Sequence, residues 1–307
     1  MYVDHPDAEL RSGAIDGKTA GTTVFEDESV RVWHTGDDVL IISFKTKMHV
    51  IGEGVINGLK LALAEAEKNF KGLVIWHADA AEGGAFSAGA DLQSALPAFM
   101  QGGVKAVDPI IAELQNTFMS LKYANVPVIA AVAGLALGGG CELALHASKR
   151  VASIESYIGL VEVGVGLIPA GGGTKDFALQ AARASQGDLL AALKDRYMNL
   201  AMAKVATSAI EAKELGFMRE SDVVVFNSYE LLHVALNEAR AMADSGFRPD
   251  VPALFPVAGR SGAASIQGQL LNMKEGGFIS EYDMHIGSQI AWVITGGDVD
   301  PGTVVDE

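Results

Sequence analysis

Apolar positions along this chain change period from segment to segment, and the changes mark its elements. Residues 30 to 44, VRVWHTGDDVLIISF, read as a strand, a Gly-Asp-Asp turn and a second strand, which predicts a hairpin. Over 53 to 68, EGVINGLKLALAEAEK sets Val55, Leu59, Leu63 and Ala66 at helical spacing. GLVIW, 72 to 76, is a short continuous apolar run and predicts a buried strand, which leads into a loop of small residues, HADAAEGGAFSAGADL. Residues 108 to 122 predict another helix, and 126 to 132 another strand. Strand, loop and helix thus recur three times between residues 40 and 150 without copied sequence. The expected fold class is α/β layering, in which ligands sit at the loops leaving the strands.

Beyond residue 150, VASI and YIGL are short strand candidates, and from 177 the pattern turns mostly helical. SAIE, 208 to 211, fits a capping box that opens a helix closed by Gly216, and DVVVF, 222 to 226, predicts one more strand. The expected organisation is an arm or linker over 1–27, poor in large apolar residues, then a core over 28–226, then a helical region over 227–307 forming a smaller layer.

Composition narrows the function classes. Of 307 residues, 49% are hydrophobic and 20% charged, which favours a sizeable core over disorder. The net charge of −15 argues against nucleic acid as a partner, because phosphate backbones need basic surfaces, but leaves room for a small anionic ligand at a local basic spot. The single cysteine, Cys141, forms no internal disulfide, and the polar N-terminal stretch MYVDHPDAELRSG has no signal-peptide core, so a cytoplasmic location is expected. Tyr123 to Cys141 carries no charge over 19 residues, but Pro127, the glycines and the small and β-branched residues make it a buried strand, turn and helix rather than a membrane span.

Three stretches hold candidate chemistry. In GLALGGGCELALH, 134 to 146, a triple glycine lets a ligand approach the main chain and a helix then starts, with Glu142 in its first turn. A carboxylate amid apolar residues is expensive to bury, so a function or a dipole-capping role has to account for it. AFSAGADL, 85 to 92, is a second glycine turn at a strand end, with Asp91 placed to cap the next helix or turn. Two such turns aimed at one oxygen would form an oxyanion hole. YIGLVEVGVGLIPAGGGTK, 157 to 175, isolates a second acid, Glu162; paired semi-buried carboxylates suit acid–base work, although an ion pair with a basic residue is the alternative.

Other motifs fail. AGGGTK lacks the order of a phosphate-binding Walker loop, no G-x-G-x-x-G follows a strand, and Ser87 is in no nucleophile elbow. His34, His49, His77, His146, His233 and His285 are scattered without metal-ligand spacing, so no metal site is expected. Cys141 has no histidine at nucleophile spacing and reads as a packing residue.

Taken together, FSAGADL (86–92), PVIAAVAGLALGGGCELALHA (127–147) and YIGLVEVGVGLIPAGGGTK (157–175) resemble the crotonase family, the enoyl-CoA hydratases and isomerases, over roughly residues 28–226. The resemblance implies a crotonase-type ββα spiral core with a C-terminal helical layer. It places the two oxyanion-hole amides on Ala90 and Gly139, and the two catalytic glutamates on Glu142 and Glu162. Glu142 would mainly activate a water held between the acids, and Glu162 would mainly protonate the α-carbon. Ser87, Ala88 and the Lys47–Met48–His49 segment match backbone regions that hold the adenine and pantetheine of CoA, and Lys45 and Lys47 would form a basic spot for its phosphates. The implied activity is hydration of a 2-trans-enoyl-CoA in fatty acid β-oxidation, with CoA thioester as substrate and no permanently bound cofactor.

Two alternatives stay open: enoyl-CoA isomerisation or other enolate chemistry, and an acyl-CoA-binding module without turnover. Both glutamates together favour hydration. An insertion at about 177–204 departs from the simple family pattern. The C-terminal segments GGFISEYDMHIG and WVITGGDVDPG resemble the hydratase half of fused 3-hydroxyacyl-CoA dehydrogenase/enoyl-CoA hydratase proteins. That resemblance implies a fragment of a longer chain, a fused or partner dehydrogenase domain, and a homo-oligomeric state that need not follow the trimers and hexamers of simpler members.

Overall fold

The computed structural model describes residues 20–80 and 83–307; of the expected arm, residues 1–19 lie outside them. The chain forms two compact units, one comprising residues up to Ile158 together with Ala206–Asp250, the other Gly159–Val205 together with Val251–Glu307.

The first unit is built on a mixed sheet. Strand β2 (Val30–His34) pairs antiparallel with both β1 (Thr22–Glu26) and β3 (Val39–Phe44), so the expected hairpin is present and part of the expected arm is an edge strand. Helix α1 (Glu53–Asn69) buries Val55, Leu59, Leu63 and Ala66, the four positions picked out by spacing. β4 (Gly72–Ile75) then adds parallel to β3, with Ile41 opposite Val74. After β5 (Ala85–Ser87) come helices α2 (Leu92–Gly102) and α3 (Val104–Lys122), a helical pair where the sequence predicts one helix.

β6 (Val128–Leu137) pairs parallel with β4 and also with β5, and α4 (Gly139–Leu145) comes at once after it. β6 continues five residues past the expected end, because VAGLAL takes β5 as a further partner. VASI and YIGL are one strand, β7 (Lys149–Gly159), rather than two.

In the second unit a 3₁₀ turn over Glu162–Val165 ends on Gly166 in the left-handed conformation and precedes α5 (Gly173–Ala184) and α6 (Leu189–Ala201). The chain passes back through β8 (Val205–Ala206) to α7 (Ala209–Leu215), β9 (Val223–Val225) and α8 (Leu231–Asp244) in the first unit. Gly216 closes α7 as expected. The expected capping box is half formed: Ser208 Oγ accepts from the Glu211 N–H, but the Glu211 carboxylate turns to the Thr207 N–H and hydroxyl.

The second unit resumes with α9 (Gly259–Glu275) and α10 (Glu281–Ile294), and a two-stranded pairing of Phe255–Pro256 with Val304–Val305. Tyr197 on α6 donates its hydroxyl hydrogen to Gly287 O on α10 at 3.1 Å.

These boundaries differ from the expected split at residue 226/227. Helix α8 belongs with the sheet, because its Leu231, Leu232, Ala235, Leu236 and Ala239 are buried in one cluster with Trp33, Ile41, Val74, Trp76 and Ile129. Residues 159–205, expected in the core, group with the C-terminal helices. No helix among the described residues is long and apolar enough to cross a membrane.

Candidate active site

Three strand-end segments of the first unit are laced together by their backbones. The Ala88 N–H donates to Met48 O at 3.0 Å, the Ile51 N–H to Gly89 O at 2.8 Å and the Asp91 N–H to Ile51 O at 3.0 Å. Ser87, fully buried, donates its hydroxyl to His49 O at 2.8 Å and accepts the Gly89 N–H at 3.1 Å. Its side chain therefore holds the two turns together and is not presented to a ligand. Asp91 caps α2 as expected, accepting the Gln93 and Ser94 N–H groups at 3.1 and 3.2 Å.

The third segment is the triple glycine. A Cβ on Gly139 would stand 3.0 Å from the Ala90 backbone nitrogen, so the backbones of Ala90 and Gly139 come close together. A Cβ on Gly140 would stand 2.4 Å from Ser87 O, inside contact distance, so only glycine lets α4 approach β5 this closely. Neither the Ala90 N–H nor the Gly139 N–H donates to an acceptor among the described residues. At Gly139 this comes from its place in the first helical turn, whose N–H groups have no intrahelical partner. Two adjacent N–H groups without a described acceptor are a candidate for stabilising a developing oxyanion.

Glu142 sits in the first turn of α4 and is 2% exposed. Its own N–H bonds to Gly138 O, and its carbonyl accepts the His146 N–H; His146 Nδ1, as the protonated ring nitrogen, lies 2.7 Å from the same carbonyl. Cys141 is fully buried and in no disulfide.

Glu162 belongs to the second unit, where it opens the 3₁₀ turn Glu162–Val165. Its carbonyl accepts the Leu167 N–H at 3.0 Å, and Tyr282 on α10 donates its hydroxyl to Gly166 O at 3.1 Å, so the turn is pinned on both sides of Val165. One carboxylate oxygen, Oε2, is shielded from solvent, which accords with the semi-buried acid read from its apolar surroundings.

Lys45, Lys47 and Met48 line a cavity of about 650 Å³ with Arg31, His49 and His77. Lys45 is not a free cation there: its Nζ is ion-paired with Glu26 Oε1 at 2.7 Å and bonded to Asp27 O at 2.6 Å. Lys47 and Met48 are exposed on a 3₁₀ turn, Lys47–His49. Ala88 contributes its backbone to the lacing above.

Spacing along the sequence leaves His49 and His77 scattered. The structure stacks their rings, with centroids 4.0 Å apart and planes at 23°. His49 Nδ1 donates to Ala85 O at 2.6 Å, and His77 Nδ1 accepts the Phe44 N–H at 3.1 Å, which makes His77 a neutral ring protonated on Nε2. Burial, and secondarily the neighbouring His49, hold the His77 pKa well below its ordinary value of 6.5. No local pattern announces this pair, since the two residues are 28 positions apart on different strand ends. Among the described residues no group of three or more His, Cys, Asp or Glu is placed to hold a metal ion.

An α/β sheet unit with two glycine turns in close approach, together with a helical unit, fits the crotonase class. The chain belongs to the enoyl-CoA hydratase/isomerase family, whose model matches residues 36–245. The fold is shared with an enoyl-CoA hydratase from Bacillus anthracis, at a TM-score of 0.57 and 22% identity over 87% of this chain and 90% of that one. Among curated proteins, the chain is 40% identical over 272 residues to a Bacillus subtilis (strain 168) protein described as "Probable 3-hydroxyacyl-CoA dehydrogenase", covering 89% of this chain and 34% of that one. It is 44% identical over 92 residues to the mitochondrial methylglutaconyl-CoA hydratase of Homo sapiens, 30% of this chain and 26% of the other. The chain therefore spans about a third or less of the length of these relatives.

Proposed function

We propose that this chain is an enoyl-CoA hydratase that adds water across a 2-trans-enoyl-CoA in fatty acid β-oxidation. The observation that carries the reading is the close approach of the Gly139 backbone to the Ala90 nitrogen, which a Cβ on Gly139 would meet at 3.0 Å, with both N–H groups free of described acceptors. A thioester oxygen placed between them gains enolate charge as the β-carbon is attacked, and both donors strengthen their bonds to it.

Glu142 and Glu162 supply the acid–base chemistry for the attacking water. Glu142 takes a proton from that water as its oxygen bonds to the β-carbon. Electrons of the C=C bond move toward the thioester oxygen. Glu162, entering protonated, delivers its proton to the α-carbon as the enolate collapses. Passage of one proton from Glu142 to Glu162 restores the starting state, and the net change is one water added. The hydratase reading rests on both acids being present, since one acid that takes a proton from one carbon and returns it to another would be enough for isomerisation. The CoA moiety lies along Met48 and Ala88 with Lys47 toward its phosphates. CoA comes and goes as part of the substrate, and no resident cofactor takes part.

The 34% coverage of the dehydrogenase-named relative supports a second part of the proposal: the chain is the hydratase portion of a longer protein with a 3-hydroxyacyl-CoA dehydrogenase domain. The product of hydration, a 3-hydroxyacyl-CoA, is what such a domain oxidises.

The test is loss of the conjugated thioester absorbance of a short 2-enoyl-CoA mixed with the wild-type chain and with Glu142→Gln. Hydration predicts wild-type turnover and a loss of about 10²–10⁴-fold in kcat for the variant. A 3-enoyl-CoA converted instead to the conjugated isomer would sink hydration in favour of isomerisation. CoA binding without either reaction would leave a binding module.

A further inference from the structure

The C-terminal end of α4 is gripped by a buried ion pair. Val151 of β7 pairs with Val223 of β9 in parallel register, so the residues one step earlier, Arg150 and Asp222, stand side by side. Arg150 Nε donates to Asp222 Oδ2 at 2.5 Å, its backbone N–H donates to Asp222 Oδ1 at 3.0 Å, and both side chains are 1% exposed. The Arg219 N–H donates to Asp222 Oδ2 as well, at 2.6 Å. From this anchorage Arg150 Nη1 reaches Ala144 O and Leu145 O, each at 3.2 Å, the last two carbonyls of α4.

A buried pair of this kind adds little net stability over a well-packed apolar replacement, because desolvation offsets the attraction. The rigid guanidinium fork does fix direction and distance, which an ammonium on a flexible stem does not. It matters here because α4 is seven residues long, Gly139 to Leu145, and a helix this short moves as one piece. Gly139 and Glu142 ride on it, and even a Cβ on Gly139 would crowd the Ala90 nitrogen at 3.0 Å.

We infer that Arg150, oriented by Asp222, is a positioning residue: it sets the placement of α4 and so the aim of the Gly139 amide and the Glu142 carboxylate. This rests on the reading of those residues proposed above. Arg150 touches no reacting atom. A displacement of about 1 Å at reacting groups costs on the order of 10²-fold in rate, so the effect should appear in kcat and not in CoA affinity.

The test compares wild type, Arg150→Lys and Asp222→Asn, with Glu142→Gln as the chemical control. The readouts are kcat and KM for a 2-enoyl-CoA, the folded fraction by circular dichroism, and the red shift of a bound 2,4-dienoyl-CoA, which reports polarisation of the thioester carbonyl. The expected result for either variant is a kcat about 10–100-fold lower per folded molecule, KM within about threefold of wild type, and a reduced red shift. An unchanged kcat and red shift overturn the inference. So does a loss that merely tracks the folded fraction, including failure of both variants to fold, since that assigns the pair to stability alone. If the wild type polarises the dienoyl-CoA but hydrates nothing, the hydratase reading fails, and the red shift alone judges the positioning role. If the wild type does neither, the paired-amide reading fails and this inference with it.

Discussion

At the start of α4 the chain turns on Gly138, Gly139 and Gly140, whereas at Thr46–His49 it turns on Met48 and His49, non-glycine residues with φ of 52° and 54°. Both turns sit at strand ends of the same unit, and both carry residues assigned to substrate. The glycine turn is shaped by lack of space, since a methyl group at Gly140 would meet the Ser87 carbonyl at 2.4 Å. The Met48–His49 turn is shaped by attachments. His49 is tied by its ring to Ala85 O and by its carbonyl to Ser87, and those bonds hold two side-chain-bearing residues in a region they rarely adopt. A glycine turn of the first kind gives a rigid place for chemistry. The turn held by side chains leaves Met48 and Lys47 exposed, where the proposed reading sets the CoA moiety, far from the reacting bond.

The sharpest way to break the contrast is Gly140→Ala. The added methyl forces α4 away from β5, so overpacking of about 3 kcal/mol is expected, together with a loss of about 10²–10³ in kcat as the paired donors separate. Thermal unfolding and enoyl-CoA turnover read the two effects, and wild-type behaviour in both would refute the close approach.

A smaller effect tests the attachments of the second turn. His77 stacks on His49 and is held neutral, with a pKa depressed by burial. Below about pH 6.5 the unfolded chain takes up a proton that folded His77 refuses, so stability is complete above that pH and falls as the pH drops toward the lowered native value. The Tm-against-pH slope below 6.5 should flatten in His77→Asn, whose amide oxygen takes over the Phe44 N–H without titrating; an unchanged slope would clear His77 of this role.

The smallest effect is expected from Lys47→Ala. Lys47 is exposed, and a solvated charge pair is worth about 0.2–1 kcal/mol, so KM for the CoA thioester should rise by no more than about fivefold with kcat unchanged. A large fall in kcat would place the lysine nearer the reacting bond than proposed.

By itself the sequence determined what depends on near neighbours. The hairpin, the buried face of α1, the Asp91 cap and the Gly216 stop were legible because spacing, turn chemistry and capping act within a few residues. The candidate oxyanion turns were legible for a related reason. Close backbone approach admits only glycine, so the requirement is written as residue type at Gly139 and Gly140.

What only the tertiary structure decided are the pairings between distant segments. Lys45, read as a cation for phosphate, is neutralised by Glu26 on β1, a strand placed in the expected arm. Helix α8 joins the sheet although it lies beyond the expected core boundary, because its apolar face has the strands to cover. The Arg150–Asp222 clamp spans 72 positions and the His49–His77 stack 28, and each depends on which strand ends meet. No residue type is obligatory in such pairs, since many side chains fill a buried site or carry a charge. Their identity became meaningful only once strand register had brought them together.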